Sequence, residues 1–165
     1  MGFGQFGETA VFRKGAEVIQ TDDTHYGRIG VSTCRDMSFS FYIRQAGEKN
    51  VDIMFGPSYD MPRSYGPCYT LRAIEYGFSF VRPTYNGFTF AEDFNGNILA
   101  EMQFDAAVDC ILYCDVPTKG RKTVYSAIGD TFAWICVVAM FLLMGIRLRK
   151  KSKQQTHAQL HLETI

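Results

Sequence analysis

The chain has 165 residues, 47% of them apolar and 15% aromatic, which is enough for one ordinary core and too aromatic for a disordered segment. Formal net charge is zero, but five of the 17 basic residues and one of the 17 acidic ones lie from Arg147 onward. The body is therefore mildly acidic, which argues against nucleic acid as a partner.

Residues 1–20 carry neither a basic n-region nor an apolar run, so no signal peptide is expected. Residues 26–33 read as a short buried strand, with Ile29, Val31 and Thr33 on one face and Gly30 and Ser32 leaving the other bare. Cys34 ends it, and Met37-Ser38-Phe39-Ser40-Phe41 reads as the opening of a helix that runs to about Gln45. A cysteine at a strand-to-helix turn is well placed as a nucleophile, because helix N-terminal N–H groups favour a thiolate and can hold an oxyanion. A buried structural thiol is the plainer alternative.

A second buried strand is expected over 51–56, ending at Pro57-Ser58-Tyr59-Asp60, and a second helix over 65–76 closed by Gly77. Residues 78–82 alternate as a strand should, Asn86-Gly87 signals a hairpin turn, and Phe88-Thr89-Phe90-Ala91 returns. Asn95-Gly96-Asn97 marks another turn, with strands over 98–104 and 108–116 to follow. The order gives an α/β fold with a mixed sheet.

The five cysteines, Cys34, Cys68, Cys110, Cys114 and Cys136, show no CxxC spacing, and no metal site or cofactor is expected. Cys110 and Cys114 on one strand would lie roughly 13 Å apart and could not bridge, whereas a disulfide from Cys68 to either stays open. His157 and His161 lie in a basic tail and read as solvated, and His25 gives little support to a papain-like dyad.

Residues 131–146 form an uncharged, almost wholly apolar run that as a helix would cover roughly 24 Å, a little short of a hydrocarbon core. Leu148 extends it, Arg147 and Arg149 can snorkel, and Trp134 can anchor the other end. The basic cluster Arg147, Arg149, Lys150, Lys151 and Lys153 marks the cytoplasmic side and puts the body outside the cytoplasm. The organisation expected is a globular portion over 1–127, a transmembrane helix over 128–148 and a basic cytoplasmic tail over 149–165, with membrane lipids as partners. A buried core helix is the alternative for the apolar run. Delivering a body without a signal peptide across a membrane requires upstream membrane segments, so the chain reads as the C-terminal part of something longer.

Several motifs carry a resemblance. They are Gly27-Arg28-Ile29-Gly30-Val31 leading into Cys34, residues 51–60, Arg72-Ala73-Ile74-Glu75-Tyr76-Gly77, Arg82-Pro83-Thr84-Tyr85-Asn86-Gly87, the turn at 93–96, and Gly120-Arg121-Lys122-Thr123-Val124-Tyr125. In that order they resemble the second half of a nitrilase-superfamily (carbon–nitrogen hydrolase) domain, most of all the membrane-bound apolipoprotein N-acyltransferases and their relatives. The resemblance implies half of an αββα sandwich followed by one membrane helix.

It also implies roles. Cys34 stands at the family's nucleophile, forming a thioester with an acyl-donor lipid or an amide substrate, and the Arg35 backbone N–H would help hold the oxyanion. Glu8 matches an orienting carboxylate. The family's lysine would fall eight positions before Glu8, ahead of Met1, and its general base further upstream; Lys14 and Glu17 are poor substitutes. Arg35, Asp36 and Ser40 depart from the acyltransferase pattern, which leaves the acceptor open between an amine and water. Asp36 is either a carboxylate near Cys34 or a helix N-cap. Two readings follow: a fragment of a thiol acyltransferase or amidase whose missing N-terminal half supplies the base, or a non-catalytic membrane protein that keeps half the fold and pairs with a complete homologue.

Overall fold

A computed structural model describes residues 17–106 and 111–162, with side chains to residue 147 apart from that of Met61. The chain divides after Ala127 into two compact units.

Among the described residues, the first unit is built on one seven-stranded mixed sheet. β1 (Gln20–Thr24) pairs antiparallel with β2 (Gly27–Val31); β2, β3 (Ile53–Phe55) and β5 (Ser79–Arg82) then run parallel side by side. The first half of β6 (Thr84–Glu92) continues in the direction of β5 and pairs in parallel with β4 (Ser58–Met61), and its second half returns antiparallel to β5 and pairs with β7 (Ile98–Gln103). Two helices, α1 (Ser40–Glu48) and α2 (Gly66–Tyr76), complete the α/β layer.

The pleat sorts the side chains. Phe80 stacks on Tyr69 of α2, and Phe90 packs edge-on to Phe80, so this phase of β5 and β6 lies under the helix. Met54, Phe78, Phe80, Phe90, Ile43 and Ala73 form its core. Gly56 is required there: a Cβ would come 2.6 Å from the Phe80 ring, so only a bare residue lets that ring lie against the strand end. On the other phase Ile53 and Ala91 are buried, but Val31 is 45% exposed and Phe55 and Val81 are half-buried. Residues 111–120 attach to this unit through Ser79 Oγ, which donates to the Pro117 carbonyl (3.0 Å), and through the Gly120 N–H, which donates to Asp52 (2.8 Å). Asp52 also accepts the Arg28 N–H (2.8 Å), and these bonds hold its carboxyl below the usual range against the opposing effect of burial.

Several expectations are corrected. Asn86-Gly87 does mark the reversal: β5 pairs with the second half of β6 in a register (Phe80 with Glu92, Arg82 with Phe90) centred on residue 86, and what the sequence did not show is that residues 84–87 also pair in parallel with β4 (Asp60 with Asn86, Met61 with Gly87). Residues 111–116 form no strand; the bonds that follow them, at Pro117 and Gly120, are isolated rather than a ladder. The helix expected straight after Cys34 starts as a 3-10 turn, Cys34–Ser38, is interrupted at extended Phe39, and only then becomes α1. Cys68 and Cys114 are both free, which removes a bridge between them, while Cys110 lies outside the described residues. α2 ends as its sequence implies, on Gly77 at φ +74°, where a Cβ would sit 1.7 Å from the Arg121 carbonyl oxygen.

A short helix, α3 (Val124–Ile128), spans the division, and the second unit contains α4 (Thr131–Leu162), one helix of 32 residues. Its apolar side chains are exposed, with Trp134 at 67% and Leu143 at 64%, which rules out the buried core helix as its role within the unit. Among the described residues no helix is long and apolar enough to cross a membrane.

Candidate functional site

The C-terminal ends of parallel strands β2, β3 and β5 meet along one edge of the sheet, where open α/β folds place their ligands. Cys34 sits at that edge, half-buried, at the first position of the 3-10 turn. Its φ is +30°, a value that side-chain-bearing residues rarely adopt and that a surrounding structure must enforce. The enforcing contact is visible: the Cys34 N–H donates to the Pro57 carbonyl beyond β3 (3.1 Å). The neighbouring Ser32 N–H donates to Phe55 (2.9 Å), which carries the β2–β3 ladder up to the turn.

Arg35 follows with an exposed side chain, and its N–H is one of the groups at the start of a helical turn that the turn itself does not use. Asp36 is half-buried. Its N–H donates to Thr33 (2.8 Å) and its carbonyl accepts from Phe39 (3.1 Å). Neither the 3-10 turn nor α1 has a side-chain cap, their capping residues being Thr33 and Phe39, so the N-cap alternative for Asp36 fails. Burial pushes the Asp36 carboxyl up, and burial followed by the Asp36 charge pushes the Tyr42 phenol up. Glu8 lies outside the described residues.

Three polar side chains beneath this edge went unnoticed in the sequence. Arg82 is fully buried; its Nη2 donates to Ser58 Oγ (2.6 Å), its guanidinium lies 4.2 Å from the Tyr69 ring centroid, and among the described residues its Nε and Nη1 have no partner. Glu92 is fully buried, accepts from Thr70 (2.7 Å) through one oxygen and has no partner among the described residues for the other; burial pushes its pKa up to about 7. Ser32, 2% exposed, has a hydroxyl without a partner among the described residues. The signal was phase: Arg82 continues the inward series Phe78, Phe80, and Glu92 continues Phe88, Phe90. A separate cavity of about 490 Å3 lies between α2 and β6–β7, floored by Phe88 and Phe90 and edged by the Arg63–Glu101 ion pair; Cys34 does not line it.

This arrangement can be compared with known proteins. The chain is 31% identical over 132 residues to an apolipoprotein N-acyltransferase of Shewanella oneidensis, covering 75% of this chain and 25% of that protein. It is 27% identical over 144 residues to apolipoprotein N-acyltransferase 1 of Treponema denticola, covering 82% of this chain and 26% of the relative. The chain is related to the carbon–nitrogen hydrolases. Its fold matches that of a nitrilase-superfamily amidase from Nesterenkonia AN1 at TM-score 0.53 and 16% identity, over 59% of this chain and 42% of the amidase; likeness at that identity concerns the fold alone. No family model matches. The chain spans about a quarter of the length of the curated relatives it matches.

Proposed function

We propose that this carbon–nitrogen hydrolase relative carries the nucleophile of a thiol-dependent acyl transfer or amide hydrolysis, with Cys34 as the attacking group. The observation that carries the reading is the Cys34 turn: a half-buried cysteine at φ +30°, bonded to Pro57 at the C-terminal edge of three parallel strands. The structurally similar Nesterenkonia amidase has an active-site cysteine to which acrylamide adds, which supports the same chemistry here.

In the proposed reaction the Cys34 sulfur adds to the carbonyl carbon of an ester or amide. A C–S bond forms, the donor's C–O or C–N bond breaks, and the leaving alkoxide or amine takes up a proton. An amine or water then attacks the thioester carbon, the C–S bond breaks, and the thiol is restored. The Arg35 N–H helps hold the oxyanion, and Asp36 lies two residues after Cys34 in the same turn. The orienting glutamate is Glu8, and the general base and lysine come from a segment outside this sequence, the rest of an αββα sandwich. The half-exposed phase of the sheet, with Val31, Phe55 and Val81, suits cover by that segment.

The exposed apolar side chains of α4 and the basic run after Ile146 support residence in a membrane, with the body extracytoplasmic and residues 149–165 in the cytoplasm. The test is to give the full-length protein, with the segment that supplies the base and the lysine, a diacyl phospholipid with a peptide bearing a free N-terminal amine, and separately a simple amide. Acyl-peptide formation that depends on Cys34 supports transfer; ammonia release from the amide supports hydrolysis. Neither product, from protein that binds the lipid and is folded, would overturn the reading.

A further inference from the structure

A fully buried arginine needs a reason, because the same volume among Tyr69, Phe80 and Phe90 could be filled by an aliphatic side chain without stranding two nitrogens. What Arg82 holds supplies one. Its hydrogen bond goes to Ser58 Oγ, and Ser58 is the residue whose preceding peptide group links the strand ends. The carbonyl side of that peptide, on Pro57, accepts the Cys34 N–H (3.1 Å), and its N–H side, on Ser58, donates to Pro83 (3.0 Å). Ser58 Oγ also donates back to Gly56 (3.3 Å), which is tied in turn to Val81 (2.9 Å). One peptide plane therefore fixes the backbone of Cys34 relative to β5, and Arg82 pins the side chain next to that plane from below.

We infer that Arg82, acting through Ser58, is a positioning residue that holds the Pro57–Ser58 peptide and through it the Cys34 turn. The inference rests on the reading of Cys34 as nucleophile. The strained φ of Cys34 has the Pro57 carbonyl as its tie to β3, so the aim of the sulfur depends on that peptide staying put. Tyr69 below the guanidinium keeps the arginine head in place by a cation–π contact, leaving Ser58 as its hydrogen-bonded target.

The experiment uses the full-length protein, with the segment that supplies the base and the lysine, and a fatty acyl p-nitrophenyl ester, following thioester formation on the Cys34 peptide by mass spectrometry alongside thermal unfolding. Ser58→Ala is expected to acylate Cys34 about tenfold or more slowly than the wild type with little change in melting temperature, because misplacement rather than unfolding is the cause. Ser58→Thr, which keeps the hydroxyl, is expected to restore the rate to within about twofold. Arg82→Met is expected to match Ser58→Ala where it folds. Wild-type rates in Ser58→Ala, or equal slowing in Ser58→Ala and Ser58→Thr, would overturn the positioning role while leaving the nucleophile in place. A wild type that never acylates Cys34 would overturn the nucleophile reading, and the positioning role with it.

Discussion

On the helix-covered phase of the sheet Met54, Phe80 and Phe90 are shielded almost completely, whereas on the opposite phase Val31 is 45% exposed and Phe55 and Val81 are only half-buried. The first phase is a closed core in which even polar groups have been taken in: Ser32, Arg82 and Glu92 all lie there, each with at least one atom that has no partner among the described residues. The second is a half-covered apolar surface. The difference teaches that the tight packing lies behind the edge where Cys34 sits, while the other side of the sheet is left partly open.

The largest effect expected is chemical. Cys34→Ala should reduce acyl-enzyme formation by on the order of a thousandfold or more with the fold intact, as loss of a nucleophile does. Next comes a direct test of the two phases. Phe90→Ala, at 1% exposure and in contact with Phe80 and Phe88, should cost about 3–5 kcal/mol in denaturant unfolding. Val31→Ser should cost under about 1 kcal/mol, because its side chain already meets solvent. Comparable losses at the two positions would show that the second phase is covered, and would break the comparison.

Glu92 sharpens it through pH. Its folded pKa, about 7, lies above its ordinary value of 4.5, so between those values the folded state holds a proton the unfolded state has lost. Stability attributable to this site is therefore present below about pH 4.5 and falls as pH rises through 7. Glu92→Gln should gain on the order of 2–3 kcal/mol at pH 8, almost nothing at pH 4, and flatten the profile between. A variant whose profile keeps the wild-type slope would show that another group sets it. The smallest effect belongs to the surface: Arg63→Ala breaks an exposed ion pair with Glu101 and a cation–π contact with Phe88, and should cost under about 1 kcal/mol, less at high salt.

The centre of the fold was legible because its elements are locally decided. The strand into Cys34, the helix closed by Gly77 and the alternation through Phe80 each carry their own signal in a few residues. The edges were not. β1 and β4 are short and mostly exposed, so neither shows an apolar alternation, and each is defined by a partner strand. Asn86-Gly87 has the composition of a turn and the chain does reverse there, but nothing local shows that residues 84–87 also pair with β4 from 26 residues earlier. At the site, Cys34 was legible from its place between strand and turn. Arg82 and Glu92 were not, since a charged residue in an inward phase looks like the end of a strand until the packing shows it enclosed. The Asp36 alternatives separate only once the interruption at Phe39 is seen.

The most direct measurement is to map, by mass spectrometry, where the full-length protein, with the segment that supplies the base and the lysine, carries a hydroxylamine-labile acyl group after brief exposure to an ester donor. A thioester is expected on Cys34 and none on Cys68, Cys114 or Cys136, with the adduct lost in Cys34→Ala. An unmodified Cys34 in folded protein, or an adduct that persists in Cys34→Ala, would contradict Cys34 as the nucleophile.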